Sequence, residues 1–213
     1  MKLIHWVVFS VILATTLALY YRSTHLSIVA SETTALPMEI VCENEIKDWV
    51  DLENGIQIQD NGCFIKGEAI VVSRKNYIAT SLGDAKVVPF DLVLSWGSLS
   101  SAKKLGAFTK IYQNNRWFFY EWDDTAELKR LKIDHLDMDN FHIIDPEEIT
   151  LLSTQKEMDI VSELQPGEVI RFKAKLVNLR KSTGQIMRKS SVSLRDRSPH
   201  SCEQMVFESI EIL

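Results

Sequence analysis

The chain has 213 residues, with 24 Lys and Arg against 29 Asp and Glu, which gives a formal net charge of −5. Its 46% hydrophobic and 25% charged residues are the proportions of an ordinary globular protein, and they exclude a wholly disordered chain, a collagen-like polymer and a protein with many membrane spans. Five Pro and eight Gly also exclude a low-complexity chain.

An apolar segment opens the chain, since residues 3–21 contain no Asp, Glu, Lys or Arg. At about 1.5 Å per residue, this segment makes a helix of roughly 28 Å, which can just span the ~30 Å hydrocarbon core of a bilayer. A cleaved secretory signal is the alternative, although Tyr20, Tyr21 and Arg22 are too large for a signal peptidase site. We therefore expect an uncleaved, single-pass anchor in the inner (cytoplasmic) membrane. Residues 1–2 would lie in the cytoplasm, and the C-terminal domain would face the periplasm or the exterior.

Residues 22–37 are small and polar, and we interpret them as a tether between the membrane and a globular domain over residues 38–213. The three cysteines allow at most one intramolecular disulfide and leave one thiol over. A pair of Cys42 with Cys63 would contribute about 3 kcal/mol by loop closure, but pairings with Cys202 are equally open at this point. No C-x-x-C spacing occurs, so a thioredoxin-type redox site or a thiolate zinc site has no support.

β-rich patterns fill most of the domain. Residues 55–72 alternate apolar and polar around Asn61-Gly62, which suits a type I′ turn and predicts a hairpin. A second hairpin is predicted over residues 108–122, with its turn around Asn114-Asn115. A third is predicted over residues 168–192, with Lys181 to Gly184 at its tip.

Residues 205–213 predict a last strand, and helical periodicity is confined to residues 125–131 and 154–164. The expected fold class is therefore mainly β (α+β), with small barrel-like or curved antiparallel sheets and two or three short helices, preceded by one N-terminal transmembrane helix. Small barrels of the OB or SH3 kind suit strands of this length.

Residues 91–100 read Asp-Leu-Val-Leu-Ser-Trp-Gly-Ser-Leu-Ser. This segment resembles a group of short, uncharacterised bacterial proteins with a D-L-x-L-x-W-G-x-[LM]-S stretch. The resemblance extends to residues 73–77, 115–117 and 140–144, and to two closing elements at residues 190–196 and Cys202-Glu203.

The resemblance implies an exported or membrane-anchored protein, and it implies no activity. It covers about residues 65–208. Members of the group often carry a His three residues before the Asn that matches Asn140, whereas this chain has Asp137 there.

Residues 134–145 concentrate Asp and His, the ligand types that Zn²⁺ and non-haem Fe²⁺ prefer. A metal-dependent hydrolase centred on His135, Asp139 and His142 is therefore the alternative function. The spacing matches neither H-E-x-x-H nor an EF-hand loop, so a solvated acidic loop is the simpler interpretation. Since the serines form no nucleophile motif, we predict no catalytic residue and no cofactor, and the sequence leans against an enzyme.

Aromatic and basic residues are the remaining features. Rings alternate on both faces of a strand over residues 117–122, which indicates either a covered core strand or an exposed platform for a peptide, a glycan or a protein.

Residues 171–197 contain nine basic residues and one acidic residue. A strand would align the first of these cations on one face. The predicted binding residues are Arg171, Lys173, Lys175, Arg180, Lys181, Arg188 and Lys189, with Trp96 and Trp117 as aromatic anchors.

The sequence thus predicts a membrane-anchored, extracytoplasmic binding domain that uses a basic β-hairpin surface. An acidic protein or an anionic lipid surface would be its partner. Nucleic acid fits least, because Phe172 is the only aromatic residue among these cations and we expect it to be buried. The basic residues can also simply neutralise the acidic part of the same chain.

Overall fold

A computed structural model gives the fold of the domain. It describes residues 38–43, 45–52, 55–77, 85–122, 124–134, 136–145, 155–195 and 202–213. The predicted anchor at residues 3–21 and the predicted tether at residues 22–37 lie outside these ranges. In the ranges that the structure describes, no helix is both long and apolar enough to cross a membrane.

The described residues form ten strands and three short helices, so the prediction of a mainly β, α+β domain is confirmed. The strands are β1 Glu39–Cys42, β2 Val50–Asp51, β3 Ile56–Asn76, β4 Phe90–Ser95, β5 Lys110–Asn114, β6 Trp117–Glu121, β7 Met138–Ile143, β8 Val169–Lys181, β9 Ile186–Arg188 and β10 Glu203–Ile212. The helices are α1 Ala102–Leu105, α2 Thr125–Arg130 and α3 Gln155–Glu163.

Five strands of the larger sheet pair in a closed ring. β3 pairs with β4, β4 with β7, β7 with β10, β10 with β8, and β8 returns to β3. The long β3 makes this possible, because its residues from Ile56 to Ile70 pair with β8 and those from Ile70 to Asn76 pair with β4. Within the ring β7 and β10 are parallel and the other pairs are antiparallel.

The inward side chains of these strands form the main core. Leu92 of β4 lies opposite Phe141 of β7, and both are fully buried. Val161 and Leu164, in and just after α3, join the same apolar cluster, so the helix covers part of the ring. The alternation of side chains along each strand decides which residues enter this core.

The prediction of a hairpin at Asn61-Gly62 is wrong. β3 continues through this dipeptide, and the pairing with β8 moves from Asp60 opposite Val177 to Phe64 opposite Lys175, which leaves a bulge. Gly62 does adopt the positive φ that an Asn-Gly turn requires, with a value of 79°. The dipeptide fits a bulge here because strands pair with β3 on both sides and hold it extended.

The other two hairpins are present. β5 and β6 are joined by Asn115 and Arg116, one residue later than predicted, and both residues have positive φ (48° and 70°). β8 and β9 form the third hairpin, in which β9 is shorter than the sequence indicated.

The structure joins Cys42 and Cys63 in a disulfide, one of the three pairings that the sequence left open. The two residues are partners in the register of β1 and β3, so the bond fastens the first strand of the domain to the longest one. Cys202 is a free thiol. Burial raises its pKa to about 12, and it is therefore protonated at neutral pH.

Candidate functional site

The hairpin of β5 and β6 presents an exposed aromatic surface. Trp117 and Phe119 lie on one side of β6, together with Tyr112, which is the partner of Phe119 on β5. Trp117 is 45% exposed and Phe119 is 42% exposed. The rings of Tyr112 and Phe119 stack with their centres 5.0 Å apart, and the Lys110 ammonium group lies 4.5 Å from the centre of the Tyr112 ring. We call Tyr112, Trp117 and Phe119 the aromatic face.

The opposite side of this hairpin packs against the domain. Phe118 and Tyr120 contact a second apolar cluster that includes Val93 and Leu99. The sequence left open whether these rings are covered or exposed, and each arrangement occurs on one side of the same hairpin. One side covers core residues, and the other side carries rings at the surface.

Arg116, in the turn of the hairpin, fastens it to the ring of strands. Its amide donates to the Tyr77 hydroxyl at 3.0 Å. Its guanidinium donates to Asp91 Oδ1 at 2.7 Å and to the Val88 carbonyl at 2.5 Å, and it lies 3.9 Å from the centre of the Tyr77 ring. The side-chain amide of Asn140 (Nδ2) donates to the Arg116 carbonyl at 3.1 Å. These contacts fix the position of the neighbouring aromatic face in the folded domain.

Arg116 belongs to a polar cluster formed by Asp91, Arg116, Asn140, His142 and Gln204. In the register of the sheet, Asp91 lies opposite His142, and His142 lies opposite Gln204. All five are buried, and Asp91 is 0% exposed. A buried carboxylate is costly unless it is paired, and Arg116 provides the pairing charge.

His142 connects this cluster to the third hairpin. Arg188 Nη1 lies 2.8 Å from His142 Nδ1. Arginine can only donate, so Nδ1 accepts and the neutral ring carries its proton on Nε2. Nε2 faces the Arg116 carbonyl at 3.4 Å and Asp91 Oδ2 at 3.8 Å. Burial lowers the pKa of His142 below its ordinary value of 6.5, and the charges of Arg188 and Arg116 lower it further, against the opposing effects of Asp91 and Gln204.

The free energy of unfolding is therefore expected to fall as the pH is lowered through about 6.5. Above this pH the ring is neutral in both states. Below it, the unfolded chain binds the proton while the folded chain resists it until the lower folded pKa is reached. The loss is about 1.4 kcal/mol for each unit by which the folded pKa lies below 6.5. Urea unfolding followed by Trp fluorescence at a series of pH values measures it.

His142→Gln is the matched variant, because glutamine keeps a hydrogen-bonding side chain and cannot titrate. We expect its stability to depend less on pH below about 6.5 than that of the wild type. Equal pH dependence in the two proteins would assign the effect to other groups.

The predicted basic face of β8 exists, but acidic side chains of the same molecule neutralise it. Each of the first three cations has at least one carboxylate partner, on β3 or on β10. The ion pairs are Arg171 with Glu68 (2.7 Å) and Glu211 (2.7 Å), Lys173 with Glu208 (2.7 Å), and Lys175 with Asp60 (3.7 Å) and Glu208 (3.6 Å). On this part of the surface, the basic residues therefore neutralise acidic residues of the same chain, which is one of the alternatives that the sequence left open.

A groove of about 630 Å³ lies beside the same strand and α3. Phe172 and Ile210 contribute apolar surface to it. Its lining contains four acidic and four basic side chains, so its charge does not select an anion. They are Glu39, Glu68, Glu157, Glu211, Lys66, Lys156, Arg171 and Lys173.

The remaining predicted cations lie around the β8–β9 hairpin. Lys181 and Lys189 are exposed, and Arg180 is half-buried. Arg188 is only partly exposed, since its guanidinium reaches inward to His142. The predicted basic surface is thus reduced to the end of this hairpin.

The prediction of Trp96 as a surface anchor is wrong. Trp96 is 4% exposed, and its ring packs against Phe141 with their centres 6.1 Å apart. The next residue, Gly97, has φ of 49°, and a Cβ there would lie 2.7 Å from Asp137 Oδ2. That carboxylate accepts from the Ser98 amide at 2.7 Å. The Trp-Gly-Ser segment therefore serves packing and a tight turn, for which glycine is required.

The residues of the predicted metal site do not come together. Asp139 lies opposite Leu94, whose side chain enters the core, whereas His142 lies opposite Asp91 on the outer side of the sheet. One ion cannot reach both faces of a strand. His135 lies outside the described residues, and the described ones contain no group of three metal-binding side chains. Residues 138–143 form the buried strand β7, and not the solvated loop that the sequence suggested.

The segments of the resemblance meet at the polar cluster. Asp91, Arg116, Asn140 and His142 come from three of those segments and contact one another. The sequence predicts His142 as a metal ligand and predicts no role for the other three. The available signal was a charged residue in an otherwise apolar strand, since Asp91 begins the run Leu-Val-Leu and such a residue requires a buried partner.

Comparisons with known proteins find no family model, no curated protein and no solved structure that matches this chain.

Proposed function

We propose that the protein is a membrane-anchored binding domain that works outside the cytoplasm and contacts a partner protein through the aromatic face. The exposure of Trp117 and Phe119 on a hairpin whose turn is held by buried contacts carries this proposal. Large rings are usually buried, and at protein surfaces they are enriched where another molecule binds. The anchor is the apolar segment at residues 3–21.

The ring of five strands supports this choice of surface. It has the number of strands of a small barrel of the OB kind, in which ligands bind on the face of the second and third strands. In chain order those strands are β4 and β7 here. The β5–β6 hairpin lies over their outer side, where Gln113 donates to Asn140 at 2.7 Å and Arg116 binds Asp91. The aromatic face is thus the outer surface at this position.

The charge around the aromatic face fits an apolar protein surface better than a polyanion. Lys110 is balanced by Glu121, which lies 4.0 Å away on the opposite strand. Arg171, Lys173 and Lys175 of β8 are likewise paired within the molecule, so they support the proposal less than the sequence suggested. A metal-dependent hydrolase is not favoured, because Asp139 and His142 lie on opposite faces of β7.

A photo-crosslinking amino acid at position 119, in place of Phe119, is expected to form a covalent adduct with the partner in the native membrane. Adding Trp117→Ala should lower the adduct yield about tenfold or more, because exposed Trp residues at interfaces often contribute 2 kcal/mol or more to binding. Immunoblotting and mass spectrometry of the adduct measure both effects.

The same photo-crosslinker at Lys129, which is exposed on α2, is the matched control and should give no comparable adduct. Equal adducts at positions 119 and 129 would reject the aromatic face as a specific surface. A reporter enzyme fused to the C-terminus and active only in the cytosol would contradict the proposed location.

A further inference from the structure

A second exposed site lies where β2, β3, β8 and β9 meet. Arg180 of β8 pairs with Gln57 of β3 and with Ile186 of β9 in the register of the sheet. Its guanidinium lies 4.2 Å from the centre of the Trp49 ring, just before β2. The side chain is half-buried, so part of it faces water.

The guanidinium of Arg180 is held in one orientation. Its Nε donates to Gln57 Oε1 at 2.6 Å, and Gln57 in turn donates to Asp51 Oδ1 at 2.7 Å. Stacking on Trp49 fixes the plane of the group. Within the described part of the chain, Nη1 and Nη2 of Arg180 make no hydrogen bond or ion pair. These two nitrogens form the edge that binds a carboxylate with two parallel hydrogen bonds.

The surroundings of Arg180 add apolar contact. Ile186, the partner of Arg180 on β9, is 55% exposed. Asp51 is acidic, and within the described part of the chain its carboxylate accepts from Gln57 and not from Arg180. A ligand that presents a carboxylate next to an apolar side chain would match these groups.

We infer that Trp49, Gln57, Arg180 and Ile186 form a binding site for an acidic segment of a partner protein. The charge of Arg180 complements Asp and Glu side chains, and Ile186 offers contact to an adjacent apolar residue. This site goes beyond the aromatic face and does not depend on it.

The path of the chain favours a protein over the bilayer as the occupant, a step that rests on the proposed membrane anchor. The tether would enter the domain just before Glu39, which lies opposite Lys66 of β3. Ile56, the β3 residue opposite Lys181, is ten residues from Lys66, or roughly 30 Å at about 3.3 Å per residue. The site therefore lies at the end of β3 away from the entry of the tether.

Binding of a fluorescein-labelled peptide in which Glu and Leu alternate, measured by fluorescence anisotropy with the full-length protein in zwitterionic nanodiscs, tests the inference. The wild type should bind it saturably and should bind the matching Gln-Leu peptide far more weakly. Arg180→Gln should lower the affinity about tenfold or more, and Arg180→Lys should lower it several-fold because lysine lacks the planar edge.

Arg130→Gln is the matched control, since it removes an exposed arginine whose Nε and Nη2 already bind Glu127. It should leave the affinity unchanged. The inference would be overturned if the wild type showed no saturable binding or if Arg180→Gln bound the peptide as well as the wild type does. An equal loss of affinity in Arg180→Gln and Arg130→Gln would also overturn it. Arg180-dependent binding to phosphatidylglycerol vesicles in place of the peptide would also overturn it, in favour of lipid. Peptide binding tests the Arg180 site, and crosslinking at position 119 tests the aromatic face. The two measurements are independent, so failure of one proposal can be told apart from failure of the other.

Discussion

Arg116→Met is expected to lower the free energy of unfolding by about 3–5 kcal/mol, because it leaves the carboxylate of Asp91 buried without its charge partner. Asp91 is completely shielded from water, and its Oδ1 accepts from Arg116 at 2.7 Å. Methionine keeps an unbranched apolar stem of similar length, so the lost charge dominates the effect. Urea unfolding followed by Trp fluorescence measures the change.

Two further variants separate this charge effect from general damage to the turn. Asp91→Asn combined with Arg116→Met should recover much of the lost stability, because the buried charge is then absent. Arg130→Met, which removes an exposed ion pair with Glu127, should leave the unfolding midpoint unchanged. A double variant no more stable than Arg116→Met alone would show that Asp91 is not the cause.

Replacing both Cys42 and Cys63 by Ser is expected to lower the free energy of unfolding by about 3 kcal/mol. The bond closes a loop between residues 21 apart, and its loss frees the unfolded chain to adopt more conformations. The paired strands β1 and β3 remain, so the domain should still fold. Unfolding curves of the two proteins without reductant measure the difference.

Reductant provides the control for this variant. It should destabilise the wild type by about the same 3 kcal/mol and leave the Cys42→Ser, Cys63→Ser protein unaffected. Cys202→Ala should respond to reductant as the wild type does, since Cys202 lies outside the disulfide. A wild type insensitive to reductant at its unfolding midpoint would contradict this account.

The Arg116 variant also links stability to the proposed function. Arg116 is the residue before Trp117, and it holds the turn from which the aromatic face extends. Loss of its contacts should therefore reduce crosslinking at position 119 even under conditions where the domain stays folded. The disulfide lies on β1 and β3, and its removal should spare the crosslink in the folded protein.

Local features could be predicted from the sequence. The alternation of residues 110–121 and the Asn-rich turn predict the β5–β6 hairpin, because a tight turn and its two strands depend on residues that are neighbours in the chain. The same holds for α2, which begins after Asp124, whose carboxylate accepts from the Ala126 amide.

The error at Asn61-Gly62 shows where such local reasoning ends. The dipeptide has the backbone preference of a hairpin turn, and Gly62 uses it. Whether that preference makes a turn or a bulge depends on which strands lie alongside, and β1 and β8 both pair with this part of β3. Neither strand is close to it in sequence.

The amino-acid sequence by itself determined the mainly β composition of the domain, two of its hairpins and two of its helices, because these follow from preferences within a few residues. Only the tertiary structure decided which side of β6 is exposed, that Trp96 is buried, and that Arg188 turns inward to His142. The tertiary structure alone also decided the pairing of Arg116 with Asp91, which lies 25 residues away in the chain. Burial and charge pairing depend on the order of strands in the sheet, and that order brings together residues whose separation in the chain carries no signal.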